Sequence, residues 1–306
     1  MCDKMAETDL SIFFIFSFLS LFFGIGRDIL SALCCSLFFH SMLSSSIVLV
    51  TGASSGIGEA CARVFSAAGA RCILMARRTE RLSELAASLP TPSRVVCCDV
   101  RNRTHVHQAI SSLEPEWSAI DFLINNAGLS RGLAALQDGN EDDWDEMIDT
   151  NVGGLLYVDR AVVPGMVERG GGHVVHIGSL AAKAAARYLG AYPASKFPVA
   201  AYSQQLRLEL KAEGVHVLLV CPGPIAREDA GQRYAAEAAD LPDSAKRPGG
   251  GVRIRGLDPL VVSRRILKAC ESRRPELILP AKARWLLAIA AISPRLGDWI
   301  VDRMTR

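Results

Sequence analysis

The chain has 306 residues, half of them apolar, and its 34 basic residues nearly cancel 32 acidic ones to leave a formal charge of +2. That balance excludes the concentrated basic surface of a nucleic-acid-binding protein, so no nucleic-acid partner is expected. Nine cysteines, an odd number scattered without any Cys-x-x-Cys spacing, speak against a zinc site or a disulfide framework, and no metal is expected.

The chain begins with an apolar segment, 1–43. Residues 10–26 (LSIFFIFSFLSLFFGIG) carry no charge, and Arg27-Asp28 separates them from a second run, Ile29 to Leu43. The first run is slightly short of the about 20 residues that span a bilayer as a helix. A cleaved signal peptide fits poorly, because Asp3, Glu7 and Asp9 outweigh Lys4 where a basic leader is needed. Three readings stand. The segment is a transmembrane helix that anchors the protein, with the rest of the chain in the cytoplasm. It is translated sequence that the native, cytoplasmic protein lacks, with Met42 the true start. Or it is an apolar arm packed on the domain or on a partner.

From Ile47 onward, short β-rich runs alternate with helix-length amphipathic stretches. The predicted strands are 47–51, 71–76, 94–100, 120–126, 173–179, 215–222 and 276–280. Apolar runs without alternation suit strands covered on both faces. The pattern predicts an α/β fold: a single doubly wound, Rossmann-like domain over 44–280 with a mainly parallel sheet. His173 and His176, inside a valine-rich run with no carboxylate or cysteine cluster beside them in sequence, read as structural. Asp258-Pro259 reads as an N-cap and first helical residue of a helix up to Cys270. Residues 226–256 are polar and glycine-rich and read as a lid over the substrate. The tail, 281–306, mixes tryptophan, aliphatics and arginine, as an interfacial amphipathic helix does, or a helix covering the domain or a subunit contact.

The run Thr51-Gly52-Ala-Ser54-Ser-Gly56-Ile57-Gly58 follows the first strand and opens a helix. Glycines at such a turn let the backbone approach a pyrophosphate, and the helix N-terminus supplies free N–H groups. The second strand ends in Arg77-Arg78, where NAD enzymes commonly carry an acid for the ribose hydroxyls. A guanidinium there would pair with a 2′-phosphate, so NADP (NADPH) is expected rather than NAD. Further along, Tyr192 and Lys196 stand four residues apart, on one face of a helix. A phenol titrates near ~10, and a fixed positive charge beside it lowers that value, making the tyrosine a usable general acid/base at neutral pH. Of the five tyrosines, Tyr192 alone has lysine four positions later. No Gly-x-Ser-x-Gly elbow surrounds Ser195, which is expected to pack small against the cofactor side of the helix.

Together these residues resemble the short-chain dehydrogenase/reductase family over about Ile47 to Pro280. The match includes TGASSGIG (51–58), Asp99 after the third strand, Asn125-Asn126-Ala127-Gly128 after the fourth, Asn151 and Ser179. It continues through Tyr192 and Lys196 to Cys221-Pro222-Gly223-Pro-Ile225. The resemblance implies an NAD(P)-dependent oxidoreductase interconverting a carbonyl and a secondary alcohol by hydride transfer. Tyr192 would be the acid/base, and Lys196 would lower its pKa and hold the nicotinamide ribose. Ser179 would hydrogen-bond the substrate oxygen, and Asn151 would hold a water extending the proton relay. Gly52, Ser54, Gly56, Ile57 and Gly58 would cradle the phosphates, and Asp99 and Val100 would border the adenine. Asn126, Ala127 and Gly128 would line the adenosine-side ribose and central cofactor, while Pro222, Gly223 and Ile225 would flank the nicotinamide.

The resemblance also implies a homo-oligomer. The small, mostly apolar run at 180–186 suggests an apolar or bulky carbonyl compound as the small-molecule substrate, and membrane contact through the N-terminal segment and the tail would favour a lipid-like one. The alternative is a catalytically silent dinucleotide-binding redox sensor or scaffold. The chain departs from the family pattern twice. Pro198, two residues after Lys196, removes a helical N–H and can kink the helix, and Arg227 replaces a threonine that commonly bonds the nicotinamide amide.

Overall fold

The structure is a computed structural model that describes residues 43–226 and 256–305. Seven strands, β1 (Ile47–Thr51), β2 (Arg71–Ala76), β3 (Ser93–Cys97), β4 (Phe122–Asn125), β5 (Gly172–Ile177), β6 (Val215–Pro222) and β7 (Glu276–Leu279), form one sheet in the order β3-β2-β1-β4-β5-β6-β7. Every pairing is parallel. The strand order reverses between β1 and β4, so the chain leaves their carboxyl ends in opposite directions and opens a crevice there.

Alternate residues of the central strands bury into two layers. Val48, Val50, Leu74 and Ile124 face helices α1 (Gly56–Ala67) and α8 (Pro259–Glu271), with Phe65 and Phe122 in edge contact at 5.5 Å between ring centroids. Ile47, Leu49, Ile73 and Leu123 face the other layer, which holds α3 (Arg103–Ser111), α6 (Gly154–Glu168) and α7 (Tyr192–Glu209). The remaining helices are α2 (Thr79–Ser88), α4 (Pro115–Ser118), α5 (Glu141–Ile148), α9 (Ala283–Ile292) and α10 (Pro294–Thr305). Asp258 caps α8 through a 2.8 Å bond from the Leu260 N–H, as the Asp-Pro pair predicts.

The third strand stops at Cys97 rather than reaching residue 100, because Asp99 turns away to accept bonds from Arg101. Helix α7 runs through Pro198 to Glu209. No helix among the described residues is long and apolar enough to cross a membrane. The segment expected to do so lies outside the described residues up to position 42, and the membrane expectation gains no support. Residues 227–255 of the expected lid also lie outside them. The two chain ends bracketing that segment are joined, with Ile225 bridged to Leu257 and the Ala226 N–H bonded to the Leu257 carbonyl at 2.8 Å.

The tail folds as the two helices α9 and α10, which cross closely: a Cβ on Gly297 would lie 2.7 Å from that of Ala290. Trp285 and Ile292 remain 75% and 86% exposed on them.

His173 stacks on Phe122 and meets His216, Nδ1 to Nδ1, at 3.1 Å. Burial pushes the His173 pKa down to about 3, with the His216 and Arg273 charges adding to it, and burial lowers that of His216 as well. An unfolded histidine protonates near ~6.5. Between that pH and about 3 the unfolded chain binds more protons, so native stability falls as pH drops through this window. Thermal melting followed from pH 7.5 to 4.5 is expected to show a falling midpoint, with a shallower slope in His173→Gln.

Candidate active site

The glycine turn is tied to the loop after β4 by one hydroxyl. Thr51 Oγ1 accepts the N–H groups of Asn126 and Ala127, each at 2.9 Å, and donates to Asn125 Oδ1 at 3.2 Å. Asn126 Nδ2 returns to the Thr51 carbonyl at 2.9 Å. Two positions here require glycine. Gly52 has φ of +64°, and a Cβ on Gly58 would sit 2.4 Å from the Gly52 carbonyl oxygen. No side chain caps the start of α1, so its first N–H groups face the crevice as an anion site.

Arg78 lies across this turn, its Nη2 donating to Ser54 Oγ and to Ser55 Oγ, both at 2.9 Å. Arg77 is held less tightly, 3.9 Å from Asp99 and 4.0 Å from Glu146. Arg101 completes the group, 2.6 Å from Asp99 and 3.5 Å from Glu146. Burial raises the Asp99 pKa, but the hydrogen bonds and charge of Arg101, aided by Arg77, outweigh it and hold the carboxyl low. Val100 is buried against Gly154, at the start of α6.

On the other side of the crevice, α5 runs into α6 through a single π-helical turn, Asp149–Gly153, that carries Asn151. Such turns re-aim a side chain inside a helix. Asn151 is 1% exposed. Its Oδ1 accepts from the Leu129 N–H at 2.8 Å, and its Nδ2 donates to the Leu129 carbonyl at 2.9 Å and to Ser195 Oγ at 2.8 Å. Ser195 in turn donates to the Tyr192 carbonyl at 2.8 Å.

Lys196, 5% exposed, donates from Nζ to the Ile177 carbonyl at the end of β5 at 3.0 Å, and Nζ lies 5.9 Å from the centre of the Tyr192 ring. A Cβ on Gly128 would meet Asn151 Oδ1 at 2.9 Å and Lys196 Nζ at 3.2 Å, which brings the end of the cradle to this group. Burial draws the Lys196 pKa down to about 8, with the Cys221 charge acting weakly the other way. Ser179 lies just beyond β5, its Oγ accepting from the Ala181 N–H at 3.1 Å. Pro222 ends β6, and the Gly223 N–H bonds the Leu279 carbonyl at 2.7 Å, which fixes the strand that leads to Ile225.

The structure thus brings Gly128, Asn151, Tyr192 and Lys196 together, and sets Arg78, Ser54 and Asp99 around the far end of the cradle. Arg227 lies outside the described residues. The sequence reading missed the bridging roles of Thr51 and Ser195; the motif letters fix their positions but not their bonds. Among the described residues no cluster of histidine, cysteine, aspartate or glutamate is arranged to hold a metal ion.

The sequence profile of the family described as short chain dehydrogenase matches residues 46–238. The chain belongs to the short-chain dehydrogenase family. It is an oxidoreductase of the C–OH/C=O couple and depends on a nicotinamide dinucleotide. An NADP-dependent 3-hydroxy acid dehydrogenase of Shigella flexneri is 44% identical over 177 residues, 58% of this chain and 71% of the relative. The closed form of a serine dehydrogenase complexed with NADP+ matches with a TM-score of 0.68 and 35% identity, covering 76% of this chain and 94% of that one. An L-sorbose reductase from Gluconobacter frateurii, complexed with NADPH and L-sorbose, matches at 0.67 and 25% identity with the same coverage.

Because the added methyl would strike backbone, Gly58→Ala is expected to weaken NADPH binding by at least about tenfold, an energy of about 1.4 kcal/mol, in a fluorescence titration.

Proposed function

We propose that the protein is an NADP(H)-dependent oxidoreductase that interconverts a ketone or aldehyde and its alcohol, with Tyr192 moving the proton. The observation that carries this reading is the Lys196 ammonium, buried and 5.9 Å from the centre of the Tyr192 ring, at the end of a glycine cradle. When bound, the nicotinamide supplies or accepts the hydride. The chain's own residues do the rest. Lys196 is charged below about pH 8 and favours the Tyr192 phenolate, so the phenol yields its proton to a substrate oxygen that gains negative charge. Ser179 donates a second hydrogen bond to that oxygen. Asn151, locked by Leu129 and Ser195, ties the end of the cradle to the first turn of α7 and in this reading holds a water that extends the proton relay from Lys196.

Cofactor choice rests on Arg78. Its fork, already directed at Ser54 and Ser55, is set to grip a 2′-phosphate, with Arg77 beside it. The names of the relatives support NADP(H) as the cofactor. For the substrate, Leu133, Ala186 and Leu189 pack beside Tyr192 and favour an apolar or bulky carbonyl compound. The relatives' names point instead to small hydroxy acids and sugars, so the panel that decides must contain both kinds.

Tyr192→Phe is expected to lower kcat by about 10²- to 10⁴-fold, the usual weight of a general acid, while NADPH still binds; wild-type turnover in this variant, or turnover of nothing by the native enzyme, refutes the mechanism. Arg78→Ala should raise KM for NADPH about 10- to 100-fold, the worth of one charge-assisted contact, and leave KM for NADH unchanged. Reductive turnover should decline as pH rises through about 8, where Lys196 gives up its proton; a rate profile across pH 6 to 10 checks this.

A further inference from the structure

Beneath the cradle lies a chain of buried polar side chains that the reaction does not use. Asp159, on α6, is 1% exposed and His176, on β5, is fully buried. Asp159 Oδ1 accepts from Asn125 Nδ2 at 3.0 Å, and Oδ2 lies 2.8 Å from His176 Nε2. The Tyr202 ring stacks on the imidazole at 5.7 Å. Asn125 donates to one carboxyl oxygen and the imidazole faces the other, an arrangement that fits the carboxylate form of Asp159.

His176 Nδ1 lies 2.8 Å from Ser203 Oγ. That hydroxyl has one proton, and it is committed to the Val199 carbonyl, 2.5 Å away; two oxygens come so close only with a proton between them. Ser203 is therefore an acceptor toward Nδ1, as the carboxylate is toward Nε2, and a ring facing two acceptors has to donate from both nitrogens. We propose that His176 and Asp159 form a buried imidazolium–carboxylate pair that positions the cofactor cradle against helix α7.

The connections run both ways from the pair. Toward the cradle, Asp159 holds Asn125, Asn125 accepts from Thr51, and Thr51 holds the Asn126 and Ala127 N–H groups. Toward the reaction centre, His176 holds Ser203 on the same helix as Tyr192 and Lys196. Asn125 and His176 are register partners on neighbouring strands, so the two branches meet at one rung of the sheet. Buried ion pairs are tolerated when their remaining hydrogen-bonding capacity is filled, and Asn125 and Ser203 contribute to that here.

The effect on NADPH rests on the function proposed above; the protonation of His176 does not. Nitrogen-15 histidine NMR of the full chain, with His176 assigned by the loss of its signals in His176→Gln, should show both ring nitrogens protonated at neutral pH. Asp159→Ala should weaken NADPH binding, measured by fluorescence titration, about tenfold, as expected for breaking a coupled network. Asp159→Asn should recover most of it, because an amide can accept from Asn125 and donate to a singly protonated His176. Ser203→Ala, a small change should Asp159→Ala fail to fold, should leave His176 singly protonated and weaken NADPH binding in the same direction. A singly protonated His176 in the native protein, or native NADPH affinity in both Asp159→Ala and Ser203→Ala, overturns the proposal. Failure of the native protein to bind NADPH would instead remove the function proposed above, with the NMR signature still deciding the pair.

Discussion

An ammonium group ends up almost wholly inside this protein, and the arrangement of the reaction centre follows from how it is held. Burying a charge is costly unless it finds partners. Lys196 finds the Ile177 carbonyl, the last of β5, and this bond fixes the amine between Asn151 and Gly128 and over the Tyr192 ring. The same burial that costs energy also brings the lysine pKa into the working range, down to about 8. Strand end, helix start and titration behaviour are thus set by one contact.

That contact would be of little use without the crevice beside it, which is a product of sheet topology. The order β3-β2-β1-β4-β5-β6-β7 makes β1 and β4 neighbours although their facing positions, Val50 and Ile124 among them, are 74 residues apart in the chain. Their carboxyl ends carry the glycine turn and the Asn125–Gly128 loop, and the Thr51 hydroxyl ties the two. Small residues allow the approach, since Gly52 and Gly58 stand where any side chain would strike the Asn126 amide or backbone. The polar chain through Asn125, Asp159 and His176 continues the same tie across the next strand and into the helices below.

Much of this was legible in the residues. Strands β1, β2 and β6 have the limits their apolar runs suggest, because they are buried on both faces and nothing but the sheet competes for them. The glycine turn could be read because positive φ at Gly52 and Gly56 leaves few other choices. What was not legible depended on contacts between distant segments. The end of β3 is decided by Arg77, Arg101 and Glu146 around Asp99. The role of Ser195 depends on a π-helical turn that places Asn151, and no local pattern announces it. Asp159 sits on the apolar face of α6, with Leu155 and Val162, and a lone carboxylate there was the signal for the buried network. Pro198 lies inside α7, which continues to Glu209, and Lys196 reaches the Ile177 carbonyl.

The stretch leading into Tyr192 is not free-standing. Lys183 is braced 2.7 Å from Glu276 at the start of β7, and Arg187 is paired with Asp302 in α10, four residues from the end of the chain. Tyr188, between these struts and the tyrosine, holds a left-handed φ of +61°, a conformation a non-glycine residue keeps only when its surroundings impose it. Two distant parts of the chain, the start of β7 and the last helix, therefore both hold the stretch that leads into Tyr192.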